Sequence, residues 1–124
     1  MITSISVDQI IEIHQHLIKE FGGDTGIRDQ RLLESAVGRM QTGYYSGVIE
    51  YAAALMESLA INHPFIDGNK RVSFFCADLL LRLNGFYISC SSDEGFNFYK
   101  DNLDAGSFKF DVIVPWLQRH AKPL

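Results

Sequence analysis

Residues 63–71 read His63-Pro64-Phe65-Ile66-Asp67-Gly68-Asn69-Lys70-Arg71 and separate two strongly apolar segments. The upstream segment, residues 49–61, is rich in Ala, Leu and Met, and the downstream segment, residues 72–83, is apolar on nearly every face. Segments of this composition are typical of helices that are buried on all sides. The sequence therefore predicts a helix–loop–helix junction that is held in place by the core.

Length and composition predict a single compact domain over residues 1–124. A chain of 124 residues with 47% hydrophobic content has enough apolar material for one core without disulfides or metals. The formal net charge of -4 argues against general binding to nucleic acid or anionic lipid, which needs an excess of Lys and Arg. The apolar run after the junction is too short, and too interrupted by Asp78 and Arg82, to cross a bilayer. We expect no direct nucleic-acid partner and no membrane partner.

The two cysteines point to a reducing compartment. Cys76 and Cys90 lack the close spacing of a metal-binding or redox pair. The N-terminus carries neither the charged region nor the apolar region of a secretory signal. We therefore expect a cytoplasmic protein.

Periodicity and capping signals predict an all-α fold. A capping box formed by Ser6 and Gln9 opens the first helix, and Gly22-Gly23 ends it. The next three helices are predicted over residues 30–40, through residues 52–61 and over about residues 70–83. The dipeptide Asn84-Gly85 is the stop signal of the fourth helix.

The C-terminal third is predicted to add two more helices. Residues 86–90 are expected to be extended or irregular, and Ser92 opens the fifth helix. The last helix includes Trp116 and Leu117, with Pro115 in or near its first turn, where a missing N–H costs least. The sequence also leaves open a small hairpin within one of the loops.

Position along the junction gives several residues a predicted role. Pro64 disfavours helical backbone at His63, so the third helix is predicted to end there with its imidazole at the junction. Asn69 is predicted to cap the fourth helix, which leaves the first N–H groups of that helix facing the loop. Lys70 and Arg71 then occupy the first turn, where the helix dipole disfavours each cation by about 0.3–1 kcal/mol. A bound anion would compensate for this placement.

A nucleotide polyphosphate fits this combination. Backbone N–H groups converge on it together with Asn69, Lys70 and Arg71, and Gly68 lets phosphate oxygens approach the backbone closely. Asp67 is predicted to hold Mg²⁺ against the phosphates, because carboxylate oxygens are among the ligands this ion prefers.

His63 is predicted to act as the general base that takes a proton from an attacking hydroxyl. Taken singly, each feature of the loop also has a structural explanation, because Asp-Gly-Asn is typical of a turn. The loop favours a site because its chemically useful residues fall together and two of them oppose the helix dipole. His14, on the apolar face of the first helix, is interpreted as a core histidine and not as a site.

These residues resemble the signature of a known protein family. His-Pro-Phe-x-Asp-Gly-Asn-Lys-Arg is similar to the motif of the Fic/Doc family, in its death-on-curing (Doc) branch. A second similar stretch contains Gly22-Gly23, Gly26-Ile27-Arg28-Asp29 and Leu32-Leu33-Glu34-Ser35-Ala36. The resemblance covers roughly residues 5–90. It implies a compact six-helix bundle and a toxin of a type II toxin-antitoxin system that is neutralised by a small antitoxin protein.

The resemblance also implies a reaction that uses ATP with Mg²⁺. It makes His63 the base for the target hydroxyl, Asp67 the metal-linked carboxylate, and Asn69, Lys70 and Arg71 the phosphate clamp. Doc toxins carry Lys where AMP-transferring relatives commonly have the second Gly of Gly-Asn-Gly-Arg, and the Doc archetype phosphorylates elongation factor Tu on a threonine. Lys70 therefore favours a protein kinase that transfers the γ-phosphate to a Ser/Thr hydroxyl of a translation factor and so inhibits translation.

Two alternatives stay open. AMP transfer to a protein hydroxyl stays open because Gly68 stands where the Doc archetype has Ala, as in AMP-transferring relatives, and because Asn62 departs from the family pattern by replacing a small residue. The other alternative is a non-catalytic, toxin-like binding module. The resemblance also places Arg28 and Asp29 in a loop that docks the target, whereas Asp29 alone is equally typical of a helix cap.

No complete inhibitory segment accompanies the motif. Many Fic proteins carry a Ser/Thr-x-x-x-Glu-Gly/Asn segment whose Glu blocks productive ATP binding, and residues 90–95 come nearest but begin with Cys90. We therefore expect the activity to be inhibited by an antitoxin segment that docks as a helix in an apolar groove.

Overall fold

Six helices and one small sheet make up the computed structural model, which describes residues 1–124. The helices are α1 (Val7–Phe21), α2 (Gln30–Met40), α3 (Val48–Asn62), α4 (Asn69–Arg82), α5 (Ser92–Asp104) and α6 (Phe110–His120), and the strands are β1 (Phe86–Ile88) and β2 (Ala121–Pro123). The predicted all-α, six-helix architecture is confirmed. None of the helices combines the length and the apolarity that a membrane span requires.

Helix α3 is the centre of the fold, as its composition predicts. It packs most extensively against α4, and also against α2 and α6. Its interior side chains are almost all apolar and fully buried, and several are alanines, so its neighbours can approach closely. Burying one large aliphatic or aromatic side chain contributes about 1.5–3 kcal/mol, so this centre holds both ends of the junction firmly.

Capping residues set the ends of the helices. At the start of α1, the Ser6 hydroxyl accepts the Gln9 N–H and the Gln9 side chain accepts the Ser6 N–H, as predicted. At the end of α4, the Asn84 side chain donates to the carbonyls of Leu80 and Thr3 and accepts the Thr3 N–H. The stop signal of α4 therefore also ties down the N-terminal segment.

The predicted position of Pro115 is wrong. Helix α6 already begins at Phe110, so Pro115 lies in its middle and not in its first turn. A proline there leaves the carbonyl of Asp111 without its helical partner. Asp111 and Pro115 are both exposed, so water can hydrogen-bond to the Asp111 carbonyl in place of the missing N–H. The helix therefore tolerates a proline at this position.

The extended segment after α4 finds its partner at the end of the chain. Strand β1 pairs antiparallel with β2, with Phe86 opposite Pro123 and Ile88 opposite Ala121. The sequence left open a hairpin within one loop, whereas the observed sheet joins two segments that are separated by α5 and α6. This sheet closes the end of the bundle that lies away from the start of α4.

Candidate active site

His63 ends α3 in a left-handed backbone conformation, with φ 52° and ψ 62°. It is the only residue other than glycine with positive φ, and its side chain is exposed. The buried Pro64 explains the break, because proline disfavours helical backbone at the preceding residue. The predicted helix end at His63 is confirmed. Such a conformation costs a non-glycine residue about 1–2 kcal/mol, so neighbouring contacts must hold it.

Arg28 supplies two of those contacts. Its Nε donates to the carbonyl oxygen of His63 and its Nη2 to that of Asn62, each at 2.6 Å. These carbonyls are among the last of α3, where the helix has no partner for them and where a cation is electrostatically favoured. The guanidinium therefore caps the C-terminus of α3.

Asp29 caps another helix. Its side chain accepts the Arg31 N–H at 3.0 Å at the start of α2, and the Arg31 guanidinium lies 3.3 Å away. The hydrogen bonds from Arg31 hold the pKa of this carboxyl below its usual range. Both side chains therefore cap helix ends, and the predicted role of Arg28 and Asp29 in target docking stays a prediction.

Residues 24–29, called the flap below, are hydrogen-bonded to the junction through their backbone. The N–H groups of Arg28 and Asp29 donate to the Pro64 carbonyl at 2.8 and 3.0 Å, and the Ile66 N–H donates to Gly26 at 3.0 Å. These bonds form an antiparallel bridge between Ile27 and Phe65. Ile27 is 37% exposed, and its own N–H and C=O take no part in the pairing. The flap thus presents a free strand edge beside His63.

Asn69 does not cap α4. Gly68 is the N-cap, with φ 79°, and Asn69 is the first helical residue. Its Oδ1 accepts the Phe65 N–H at 3.0 Å, and its Nδ2 donates to the Phe65 carbonyl at 2.9 Å. The side chain turns back into the buried side of the junction, so the predicted cap is wrong. The predicted contact of its side-chain amide with phosphate stays a prediction, and in this structure that amide holds the loop.

The first turn of α4 nevertheless has the donors of an anion site. The backbone N–H groups of Asn69, Lys70 and Arg71 have no hydrogen-bond partner in the protein. The side chains of Lys70 and Arg71 are exposed and form no ion pair, and the Arg71 guanidinium lies 4.4 Å from the ring centre of Phe21. Unpaired N–H groups at a helix N-terminus together with two cations are well suited to a phosphate group.

His14 of α1 contacts the buried side of the junction. It is 1% exposed, its Nε2 lies 2.7 Å from the Asp67 carbonyl oxygen, and its ring stacks on Phe65 at 3.7 Å. The interpretation of His14 as a core histidine is confirmed. Sequence reasoning missed that this residue fixes the loop, since helical spacing shows only that it faces inward.

Gly68 is required by packing against α1. A Cβ at this position would lie 3.2 Å from Ile18 Cδ1 and 3.5 Å from His14 Nε2, and the positive φ is itself unfavourable for other residues. Packing within the fold is thus one reason for this glycine, and the predicted close approach of phosphate to its backbone stays a prediction.

The Asp67 carboxylate is exposed and only partly engaged. One oxygen accepts the Gly68 N–H at 2.9 Å, and the other accepts the Asp24 N–H in the flap at 3.3 Å. Lone pairs remain on both oxygens. No cluster of three or more acidic, His or Cys side chains forms a ready metal cage. A single carboxylate suits Mg²⁺, which keeps several waters and takes its other ligands from substrate phosphates.

A cleft of about 640 Å³ adjoins the start of α4. It is lined by residues of α4 and α5, among them Lys70, Arg71, Phe74 and Phe96. This volume is within the range of small-molecule sites. Glu94, the acidic residue of the incomplete inhibitory segment, accepts the Ser91 N–H at 3.0 Å in the cap of α5, and this bond lowers the pKa of its carboxyl.

Known proteins share both the sequence and the fold. The chain is 43% identical to Toxin Doc of Mycolicibacterium smegmatis over 79 residues, which are 59% of this chain and 60% of that relative. It is 32% identical to Protein kinase doc of Escherichia phage P1 over 88 residues, 68% of this chain and 70% of that protein. The chain thus spans about three fifths of the length of the mycobacterial relative.

A solved structure extends the likeness to the whole fold. Fic-1 from C. elegans, residues 134–508, matches 94% of this chain with a TM-score of 0.73 at 23% identity, and the match spans 40% of the Fic-1 chain. The profile of the Fic/DOC family matches residues 4–81, more than half of the chain, and includes the junction and the flap. This protein belongs to the Fic/DOC family.

Proposed function

We propose that this protein is a Doc-type toxin that transfers the γ-phosphate of ATP to a Ser/Thr hydroxyl of a protein. The observation that carries this proposal is the start of α4, where three free backbone N–H groups and the unpaired cations Lys70 and Arg71 follow His63 across the short junction. The names of two relatives, Toxin Doc and Protein kinase doc, support it.

His63 is the general base of the proposed reaction. Its imidazole is exposed at the end of α3, so a hydroxyl from another protein can reach it. It takes the proton of the hydroxyl as the hydroxyl oxygen bonds to the γ-phosphorus and the bond to the ADP oxygen breaks. Base catalysis of this kind contributes about 10²- to 10⁴-fold in rate.

The start of α4 binds the polyphosphate. The free N–H groups of residues 69–71 and the side chains of Lys70 and Arg71 neutralise the phosphate charge. Positioning and electrostatic stabilisation account for most of the catalysis in phosphoryl transfer, so a site built from donors and cations is sufficient. Asp67 is the residue that would hold Mg²⁺, which when bound neutralises charge on the phosphate oxygens.

The flap is the proposed docking edge for the target. An extended segment can pair with the free N–H and C=O of Ile27 as an added strand. Because the flap is bonded to Pro64, such a strand would bring its hydroxyl residue next to His63. The proposed target is a translation factor, and elongation factor Tu is the first candidate to test.

ATP labelled separately on the α- and γ-phosphates tests the reaction. With elongation factor Tu as acceptor, we expect label on the protein from the γ position only, and no label with His63→Ala. Label from the α position only would overturn the kinase proposal in favour of AMP transfer. Gly68 gives little support to AMP transfer, because packing against α1 already explains that glycine.

Growth arrest tests the non-catalytic alternative. If the protein acts only by sequestering a partner, wild type and His63→Ala will arrest growth equally. If it acts by catalysis, as we propose, His63→Ala will be harmless at the same expression level.

The proposed partner that restrains the toxin is a small antitoxin. Three phenylalanines with exposed fractions of 52%, 41% and 64%, namely Phe21, Phe75 and Phe96, border the cleft next to Lys70 and Arg71. We assign this surface, called the phenylalanine groove, to an amphipathic antitoxin segment with acidic residues that face the two cations. A segment bound there would cover the proposed phosphate site.

Calorimetry with the antitoxin encoded by a neighbouring reading frame tests the groove. We expect Phe75→Ser to weaken binding strongly and to leave ATP-dependent transfer intact, because Phe75 is partly exposed and serine adds no charge beside Lys70 and Arg71. Leu83→Ser, at a 40% exposed apolar residue outside the groove, is the matched control and should bind normally. Equal affinity of both variants for the antitoxin would refute this assignment.

A further inference from the structure

Arg28 makes an unusual set of contacts with the end of α3. Its guanidinium donates to the carbonyls of Asn62 and His63, each at 2.6 Å, and its backbone N–H donates to the Pro64 carbonyl at 2.8 Å. One residue of the flap therefore bonds to three consecutive carbonyls, at the last residue of α3 and the first two residues of the junction. Hydrogen bonds from a charged donor are shorter and stronger than those between neutral groups.

These bonds orient two peptide planes at once. The planar guanidinium holds the carbonyls of Asn62 and His63 in one geometry, and those carbonyls flank the strained left-handed backbone of His63. The direction in which the imidazole leaves the chain depends on that backbone conformation. Lysine, with a flexible stem and a compact ammonium group, cannot reproduce the planar fork.

We propose that Arg28 is a positioning residue for the base His63 and that it couples the flap to the base. This inference rests on the proposed role of His63 in phosphoryl transfer. Arg28 acts through the backbone of the junction and touches neither ATP nor the target hydroxyl. Any displacement of the flap by an incoming target is therefore transmitted to the backbone that carries His63.

Three variants separate positioning from general stability. Arg28→Met keeps the approximate length of the side chain and removes the charge and the donors, whereas Arg28→Lys keeps a charged N–H donor and removes the planar fork. Arg31→Met is the matched control, because Arg31 is an exposed arginine of neighbouring sequence whose guanidinium bonds only to Asp29. Arg28 is exposed as well, so its replacement leaves the core unchanged.

Steady-state kinetics with elongation factor Tu give the first measurement. We expect Arg28→Met to lower kcat by ~100-fold, the scale of a misplacement of about 1 Å, and to leave KM for ATP within about twofold. Arg28→Lys should recover only part of kcat, and Arg31→Met should match wild type. A kcat of Arg28→Met within about threefold of wild type, or an equal loss in ATP affinity, would overturn the inference.

Backbone NMR of the ATP-free protein gives a second measurement that does not depend on activity. We expect Arg28→Met to shift the ¹³Cα and carbonyl signals of Asn62 and His63 and to leave those of Lys70 unchanged. Unchanged His63 signals would refute positioning. If the wild-type protein transfers no phosphate, the proposed function is refuted but the role of Arg28 is not. The NMR comparison tests that role independently of activity. If Arg28→Met does not fold, Arg28→Lys carries the same two measurements.

Discussion

Replacing Asn69 with alanine is expected to destabilise the ATP-free protein by about 2–4 kcal/mol. The side chain makes two hydrogen bonds, at 3.0 and 2.9 Å, to the backbone N–H and C=O of Phe65, which is 1% exposed. Asn69→Ala leaves two buried groups, the Phe65 N–H and C=O, without a partner, and each such group costs about 1–3 kcal/mol. The lower half of the resulting range of about 2–6 kcal/mol applies, because the loop can relax and admit water from the exposed side of the junction.

Thermal and urea denaturation without nucleotide measure this effect. For a chain of this size about 1 kcal/mol corresponds to about 4 °C, so Tm should fall by about 8–16 °C. Asn102→Ala is the matched control, because Asn102 also donates to the carbonyl four residues earlier, that of Phe98, at 2.8 Å, and is only half-buried. We expect it to lose about 1 kcal/mol or less.

The comparison distinguishes two roles for Asn69. If its amide holds the loop, the loss of stability is present before any ATP is added. If its amide is instead a phosphate ligand, Asn69→Ala will match the stability of wild type without nucleotide and will differ only in ATP affinity. A destabilisation below about 0.5 kcal/mol in the ATP-free protein would refute the structural role, because changes of that size are ordinary for surface substitutions.

Three further substitutions test the surroundings of the junction. His14→Phe keeps the aromatic stack but removes the bond to the Asp67 carbonyl, so urea denaturation should show a loss of about 1–2 kcal/mol. Gly68→Ala places a side chain at φ 79° against α1 and should cost about 1–3 kcal/mol in the same assay. The Ser91 N–H lowers the pKa of Glu94 below 4.5, so its ionised form adds stability above pH 4.5 that is lost as pH falls through the lowered pKa. Melting curves of wild type and Glu94→Gln should therefore differ at pH 7 and converge in acid.

The helix ends show how far local signals reach. The capping box at Ser6, the end of α3 before Pro64 and the stop at Asn84 were all predictable, because each depends on residues within one turn of the end. Pro115 shows the limit. A proline in mid-helix is rare, and only the exposure of that face of α6 explains why the chain accepts it.

Local signals in the sequence predicted the order of the six helices, most of their ends, the family, and the run of residues that carries the chemistry. These signals were sufficient because helix periodicity, capping and a nine-residue motif are each contained in a short stretch of chain. The placement of His63 at the end of a helix and of two cations at the start of the next also follows from that stretch.

The tertiary structure alone decided which side chains act on the loop and which support it. Asn69 turns inward to Phe65, Arg28 reaches His63 from 35 positions away, and His14 reaches Asp67 from 53 positions away. A polar side chain bonds to whichever group the fold brings within about 3 Å, and that partner depends on how α1 and the flap pack against the junction. The pairing of β1 with β2 also depends on the fold, since a strand as short as β1 is stable only beside a partner, which here comes from a distant part of the chain.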